Sequence, residues 1–210
     1  MFNNLIFDFD GCIADTSDNT MKYLKLVLDE CGASYDETKL IKEIVMVQPF
    51  GIIMKTLQVS GDIQEITTKF INSRIQNITD GIRLYPQMKT LLQDAKNSGQ
   101  RLFIATNKFQ QVLATTLQSL DIDMFDDART LDTGLTKAEM VADLVDAHKM
   151  NKDKSVMIGD SVKDIDAGIK AGIKTIAADW GYDANKAELK QTTDFYVESV
   201  NKLKELLELK

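Results

Sequence analysis

A Rossmann-like, doubly wound α/β fold with a small helical unit inserted near its start is the class this sequence predicts, on three observations. Short apolar runs alternate with amphipathic stretches from residue 83 onward. An earlier apolar run ends abruptly at Asp8-Phe9-Asp10-Gly11, and the stretch between the two has helical apolar spacing. Repeated β and α units of this length imply a parallel sheet covered by helices on both faces, because strands joined in parallel need a crossover connection.

The first strand is expected to carry Leu5 to Phe7 into a core and to expose both acids at its C-terminal end. Residues i and i+2 of a strand face one way, so Asp8 and Asp10 start on one side, and Gly11 lets the chain turn beyond them. Across 15–82 the apolar positions are helical: Met21, Leu24, Val27 and Leu28; Leu40, Ile44 and Val47; Ile63, Ile66, Phe70 and Ile71. Four helices are expected there, the first capped by Ser17 and stopped at Cys31-Gly32. This is too long for a crossover, so it reads as an insertion hinged near Asp15 and Gly81, placed to act as a lid. The later series gives helix 86–98, strand 101–106, helix 109–120, a weak strand near 128–131 and helix 136–150. It continues with strand 155–159, helix 161–171, strand 174–178, helix 184–190, strand 195–197 and helix 200–209. The expected partition is a core of 1–14 and 83–210 with a helical cap over 15–82.

Composition narrows the function classes. A chain of 210 residues with 44% hydrophobic and 27% charged residues, and only 2 prolines, buries a real core and is globular. No stretch has the apolar length of a membrane span, and the amino terminus reaches Asp8 too soon for a secretory signal, so a cytoplasmic location is expected. Cys12 and Cys31 provide neither a disulfide framework nor a zinc site. A net charge of -7 with scattered basic residues disfavours nucleic acid. A small anionic substrate stays possible, and neither membrane nor nucleic acid is an expected partner of the chain, which is expected to be a monomer or homodimer.

Four segments fall at the C-terminal ends of expected strands, which share one rim in a parallel sheet. They are Asp8-Phe9-Asp10-Gly11, Ile104-Ala105-Thr106-Asn107, Lys137 after the weak strand, and Gly159-Asp160-Ser161-Val162-Lys163-Asp164. Taken singly each has a bland reading: Thr106-Asn107 as a helix cap, Lys137 as a solvated first-turn lysine, Asp160 and Asp164 as acids at a helix start, Gly168 and Gly172 as packing and capping glycines. Their joint occurrence favours chemistry.

With these four motifs in order and the insertion after the first, the chain resembles the haloacid dehalogenase superfamily, in the phosphoglycolate-phosphatase-like branch with a helical cap. The family's third motif often reads Lys-Pro, whereas Ala138 follows Lys137 here; Lys152 and Lys154 are weaker choices because they precede a strand. The resemblance implies a Mg²⁺-dependent phosphatase acting on a small phosphate monoester, so that the expected partner is a small phosphorylated metabolite. It also implies that the metal ligands are the Asp8 side chain, the Asp10 backbone carbonyl and Asp160.

Physical chemistry leads to the same roles independently. A phosphate monoester needs a positioned nucleophile, charge neutralisation and a proton for the leaving oxygen. Asp8 supplies the nucleophile and forms an aspartyl-phosphate; Asp10 is the acid and then the base, which calls for a raised pKa. Asp8, Asp10, Asp160 and Asp164 together bring four negative charges toward an anion, and each like-charge pair at about 4 Å costs on the order of 4 kcal/mol at an effective dielectric of about 20. A divalent cation follows, and oxygen ligands suit Mg²⁺. Asp164, a helical turn beyond Asp160, is placed to orient the ligands or Lys137 from behind. Lys137 adds fixed positive charge, and the Thr106 hydroxyl with the N–H groups of Phe9, Asp10 and Asn107 holds phosphate oxygens.

Other residues receive plainer readings. His148 is expected to face solvent, Cys12 to be a small loop residue, Trp180-Gly181-Tyr182 to pack the rim, and Met46, Met54, Met88, Met140 and Met157 to fill cores. Substrate selection is expected near Gln48-Pro49-Phe50-Gly51. The rivals are a β-phosphoglucomutase-like phosphomutase, an inorganic pyrophosphatase and, from another class, a receiver-like phospho-acceptor module, which would be shorter and would lack the insertion.

Overall fold

In chain order, β1 (Asn4–Phe7) leads through a tight turn to β2 (Ala14–Asp15), followed by α1 (Ser17–Glu30), α2 (Phe50–Thr56) and α3 (Ile63–Gln76). Next come β3 (Arg83–Leu84), α4 (Met88–Asn97), β4 (Arg101–Ala105), α5 (Gln110–Ser119), β5 (Asp127–Arg129) and α6 (Lys137–Ala147). The chain continues with β6 (Ser155–Gly159), α7 (Val162–Ala171), β7 (Lys174–Ala178), α8 (Lys186–Thr192), β8 (Phe195–Val197) and α9 (Val200–Leu206). This computed structural model describes residues 1–41, 45–46 and 48–209.

Six of these strands form one parallel sheet among the described residues, in the order β5-β4-β1-β6-β7-β8. The order reverses direction at β1, so crossovers leave on both faces and the C-terminal ends of β1, β4 and β6 adjoin. Alternation along β1 explains why its apolar run is continuous. Leu5 and Phe7 join Leu91, Leu92 and Leu203 on one face, whereas Ile6 joins Phe103, Met140, Val141 and Met157 on the other. Each large side chain so buried contributes about 1.5–3 kcal/mol. Gly168 lets α7 approach the sheet: a Cβ there would lie 2.6 Å from Thr175 Cγ2 and 2.9 Å from Met157 Cβ. Gly172 ends α7 in the left-handed region, at φ +74°.

The helical insertion has its own core, in which Tyr23, Leu24, Val27 and Leu28 pack on Ile53, Met54, Ile66 and Phe70. Its two ends are clamped together where β2 pairs antiparallel with β3, Ala14 opposite Leu84 and Asp15 opposite Arg83. Phe109 of the sheet-bearing part packs against this core, its ring edge-on to Phe50 at 5.9 Å while Phe50 stacks on Phe70 at 5.0 Å.

Several local expectations are corrected. Thr16, not Ser17, is the residue before α1; Ser17 lies inside the helix, and its N–H and hydroxyl donate to Asp15 Oδ1. Thr106-Asn107 does not cap a helix, because α5 begins at Gln110, whose N–H donates to Asp132 Oδ2. His148 is only partly exposed to solvent: its ring packs 4.7 Å from Phe103, and its Nε2 lies 2.8 Å from Asp127 Oδ2. Of the expected Leu40, Ile44 and Val47 helix, Ile44 and Val47 lie outside the described residues. Met54, Met88, Met140 and Met157 are buried as core residues. No described helix is long and apolar enough to cross a membrane.

Candidate active site

The sheet topology brings four distant segments to one rim. β1 ends one residue before Asp8, whose own N–H still donates to Ile158 O of β6, and β4 ends one residue before Thr106. Lys137 opens α6, which Thr136 and Glu139 start with a reciprocal capping box. Asp160 follows β6, and Asp164 closes a second capping box with Ser161 at the start of α7. The capping boxes fix where each helix starts, and with it the direction in which Lys137 and Asp164 point.

Asp8, Asp160 and Asp164 are all buried, and each offers a carboxylate oxygen within 4.8 Å of the others. Lys137 Nζ lies 2.6 Å from Asp8 Oδ1 and 2.9 Å from Asp164 Oδ1, and donates to Ala105 O at 2.8 Å. Three buried acids therefore face one ammonium at this cluster, an imbalance that a buried site tolerates only by protonation or by binding a cation. Burial pushes the Asp8 carboxyl up to about 7 against the pull of Lys137, with Asp164 adding to the rise. Asp160 is likewise driven well above the ordinary range by burial and by its two acidic neighbours. Lys137 is held protonated: burial works against its charge, but Asp164 and Asp8 outweigh it. All-oxygen donors, close spacing and uncompensated negative charge fit a hard divalent cation such as Mg²⁺.

The Asp10 carboxylate borders the same cavity as this triad but, unlike the triad, has a cation of its own. Its Oδ1 accepts from Lys108 Nζ at 2.7 Å and from the Thr16 hydroxyl. The expected raised pKa of Asp10 is overturned. Burial raises it, but Lys108 and Arg74, with the hydrogen bonds from Lys108 and Thr16, bring it below the ordinary carboxylate value. The Lys108 ammonium is itself fully enclosed and is pushed down to about 8 by burial and by Arg74.

Two small cavities meet at Asp10. One, of about 30 Å³, is lined by Asp8, Asp10, Thr106, Asn107, Lys137, Asp160, Ser161, Lys163 and Asp164 among others. The other, of about 60 Å³, lies toward the insertion and is lined by Thr20, Gln48, Phe50, Phe70, Arg74 and Lys108 among others. Met46 and Asn107 border both. Among the described residues, the N–H groups of Phe9, Asp10 and Asn107 donate no hydrogen bond, whereas that of Thr106 donates to Arg129 O. Gln48 and Phe50 reach the second cavity, as the expected selecting segment requires, but Thr20, Arg74 and Lys108 were not anticipated. Lys108 was legible as a third polar residue after strand β4; Arg74 lay hidden on a helix whose spacing only announced a core.

Trp180-Gly181-Tyr182 does more than pack. The Tyr182 N–H donates to Asp160 Oδ2 at 2.6 Å, and Thr16 N donates to the Tyr182 hydroxyl at 2.7 Å. Gly181 and Gly11 leave room for Asp160: Cβ atoms there would sit 2.0 Å from Asp160 Cβ and 2.5 Å from its Oδ2. Cys12 is buried, with its thiol toward Ile158 O.

A parallel α/β sheet with a buried acid triad and lysine at its C-terminal rim defines an enzyme whose chemistry sits at the strand ends. The family model for haloacid dehalogenase-like hydrolases matches residues 5–178. The chain belongs to that family, and it is an enzyme of the phosphatase type within it. Phosphoglycolate phosphatase of Aquifex aeolicus is 23% identical over 182 residues, 85% of each chain. Tyrosine-protein kinase PtkA of Mycobacterium tuberculosis is 24% identical over 182 residues, and this chain spans 62% of that longer protein. CbbY of Rhodobacter sphaeroides, solved in complex with phosphate, shares the fold at a TM-score of 0.82 and 18% identity, with 95% of both chains covered.

Proposed function

We propose that this chain hydrolyses a small phosphate monoester through an aspartyl-phosphate on Asp8, with Mg²⁺ as cofactor. The observation that carries the reading is the buried triad of Asp8, Asp160 and Asp164 around Lys137, beside a fourth acid, Asp10, paired with Lys108.

The Asp8 carboxylate, held by Lys137, attacks phosphorus in line, and the bond from phosphorus to the leaving oxygen breaks. Asp10 gives that oxygen its proton. A water then attacks phosphorus of the phospho-aspartate, Asp10 takes its proton, and phosphate departs with Asp8 regenerated. Lys108 and Arg74 favour ionised Asp10, but a bound ester brings about two negative charges beside it and raises its proton affinity, so that it takes up a proton from solvent before the ester bond breaks. The Thr106 hydroxyl, the N–H groups of Phe9, Asp10 and Asn107, and the Lys137 ammonium are the donors for the phosphoryl oxygens. Asp8, the Asp10 carbonyl and Asp160 would hold Mg²⁺, which supplies neutralisation of phosphoryl charge. Asp164 orients Lys137 and stays behind the ligands. In this reading residues 1–14 and 83–210 are the catalytic core, and residues 15–82 are a cap whose paired ends at β2 and β3 form the hinge. Phosphoglycolate-like monoesters lead the substrate list because relatives carry that name.

Turnover of p-nitrophenyl phosphate with and without Mg²⁺, in the parent and in Asp8→Asn, is the test. Mg²⁺-dependent hydrolysis that Asp8→Asn abolishes is expected, together with a beryllofluoride adduct on Asp8 in crystals. Undiminished activity in Asp8→Asn overturns the reading. Isomerised sugar phosphate as product would turn it to a mutase, and one slow phosphorylation without release to an acceptor module.

A further inference from the structure

Arg74 is 94% buried by its 6% exposure, yet its Nη2 has no hydrogen-bond partner, and its Nε donates to Asn19 Oδ1 at 3.0 Å. The nearby Thr20 Oγ1, on a side chain 7% exposed, is also unpartnered. Both line the larger cavity beside Asp10. A buried guanidinium edge and a buried hydroxyl without partners are costly unless something binds them, so two independent orphans facing one space mark a ligand position.

The charge count points the same way. Arg74 and Lys108 are two cations in this cavity against the single carboxylate of Asp10, which leaves a net positive charge in a volume whose other walls carry no charge, among them Leu24, Ile53, Phe50 and Phe70 with Gln48 and Asn107. The phosphoryl group does not satisfy it, because its own cavity, with Asp8 and Lys137, lies across Asp10 and does not include Arg74. The proton donor thus stands at the junction, with the phosphoryl group on one side and the remainder of the leaving group on the other. Building on the hydrolysis and the phosphoglycolate-like substrates proposed above, we infer that Arg74 and Thr20 are the residues that select them, by binding a carboxylate on the leaving group. A planar two-oxygen anion matches one guanidinium edge plus one hydroxyl. The volume of about 60 Å³ is far below the roughly 300–1,000 Å³ of sites that enclose drug-sized ligands, which disfavours hexose or nucleoside leaving groups.

The experiment compares kcat/KM for phosphoglycolate with that for its neutral amide, in the parent, Arg74→Gln and Arg74→Lys. The parent is expected to prefer the acid at least about 100-fold, the order of discrimination produced by leaving buried polar groups unpaired. Arg74→Gln should bring the ratio to within a few-fold of unity, and Arg74→Lys should restore part of it. Equal use of acid and amide by a parent that hydrolyses p-nitrophenyl phosphate overturns this subsite while leaving the phosphatase reading intact. Calorimetric titration of the unreacted parent with glycolate is the second measurement, independent of turnover and of whether Arg74→Gln folds. Saturable binding of glycolate, and none of glycolamide, supports the subsite even if no ester is hydrolysed; no binding of either overturns it.

Discussion

Lys137→Met removes the ammonium that lies 2.6 Å from Asp8 and 2.9 Å from Asp164. At an effective dielectric of about 20, each attraction is worth about 6 kcal/mol. Most of that sum is returned because the buried ammonium no longer has to be desolvated, and breaking one partner out of a buried pair leaves a net loss of about 3–5 kcal/mol. For a chain of this size, about 2–4 °C of melting temperature accompany each kcal/mol, so Tm should fall by about 6–20 °C at pH 8 in EDTA. The loss should narrow toward pH 5, because Asp8, already drawn up to about 7 by burial, then takes a proton in place of its lost partner. Added Mg²⁺ should stabilise the variant more than the parent, since the triad has lost its internal cation. Its turnover should nevertheless drop by about 10²–10³, the usual result of removing a group aimed at transition-state charge. Circular dichroism melts at the two pH values, with EDTA or Mg²⁺, read all of this. A Tm shift below about 2 °C at pH 8, the scale of a surface substitution, would refute the charge argument.

The metal-free parent should itself become less stable as pH rises. Asp8 and Asp160 have folded-state pKa values above their unfolded ones, so between about pH 4 and 7 the folded chain binds more protons, and the stability present below pH 4 is lost through that window. Asp10, shifted the other way, opposes this only below about pH 4. Melts in EDTA across pH 4.5–8 check the slope, and Mg²⁺ should flatten it because metal and proton compete for the same oxygens. Gly181→Ala drives a Cβ to within 2.0 Å of Asp160 Cβ and 2.3 Å of its Oδ2. It should cost about 1–3 kcal/mol by overpacking and raise the Mg²⁺ concentration for half-maximal activity by about 10–100-fold, seen in a Mg²⁺ titration of turnover.

The sheet and the acid-bearing strand end were legible because period-2 burial along β1, and the β–α alternation after it, are written in apolar spacing that any packing must respect. The four motifs were legible because short-range chemistry forces them: carboxylates and a lysine at strand ends have no core role to play. Legibility failed where a residue's meaning depends on partners far along the chain. Arg74 sits on an ordinary amphipathic helix, and only the docking of α3 beside Asp10 makes its guanidinium a cavity wall. Lys108, 98 positions from Asp10, became its partner because β1 and β4 are neighbours in the sheet. The sequence by itself therefore determined the fold class, the rim and the acidic chemistry, all of which follow from local periodicity and residue type. Only tertiary structure decided that Asp10, alone of the four acids, pairs with Lys108, and that Asp8 is the carboxyl raised toward neutrality. Burial and the nearest charge set a carboxylate's proton affinity, and both are properties of packing.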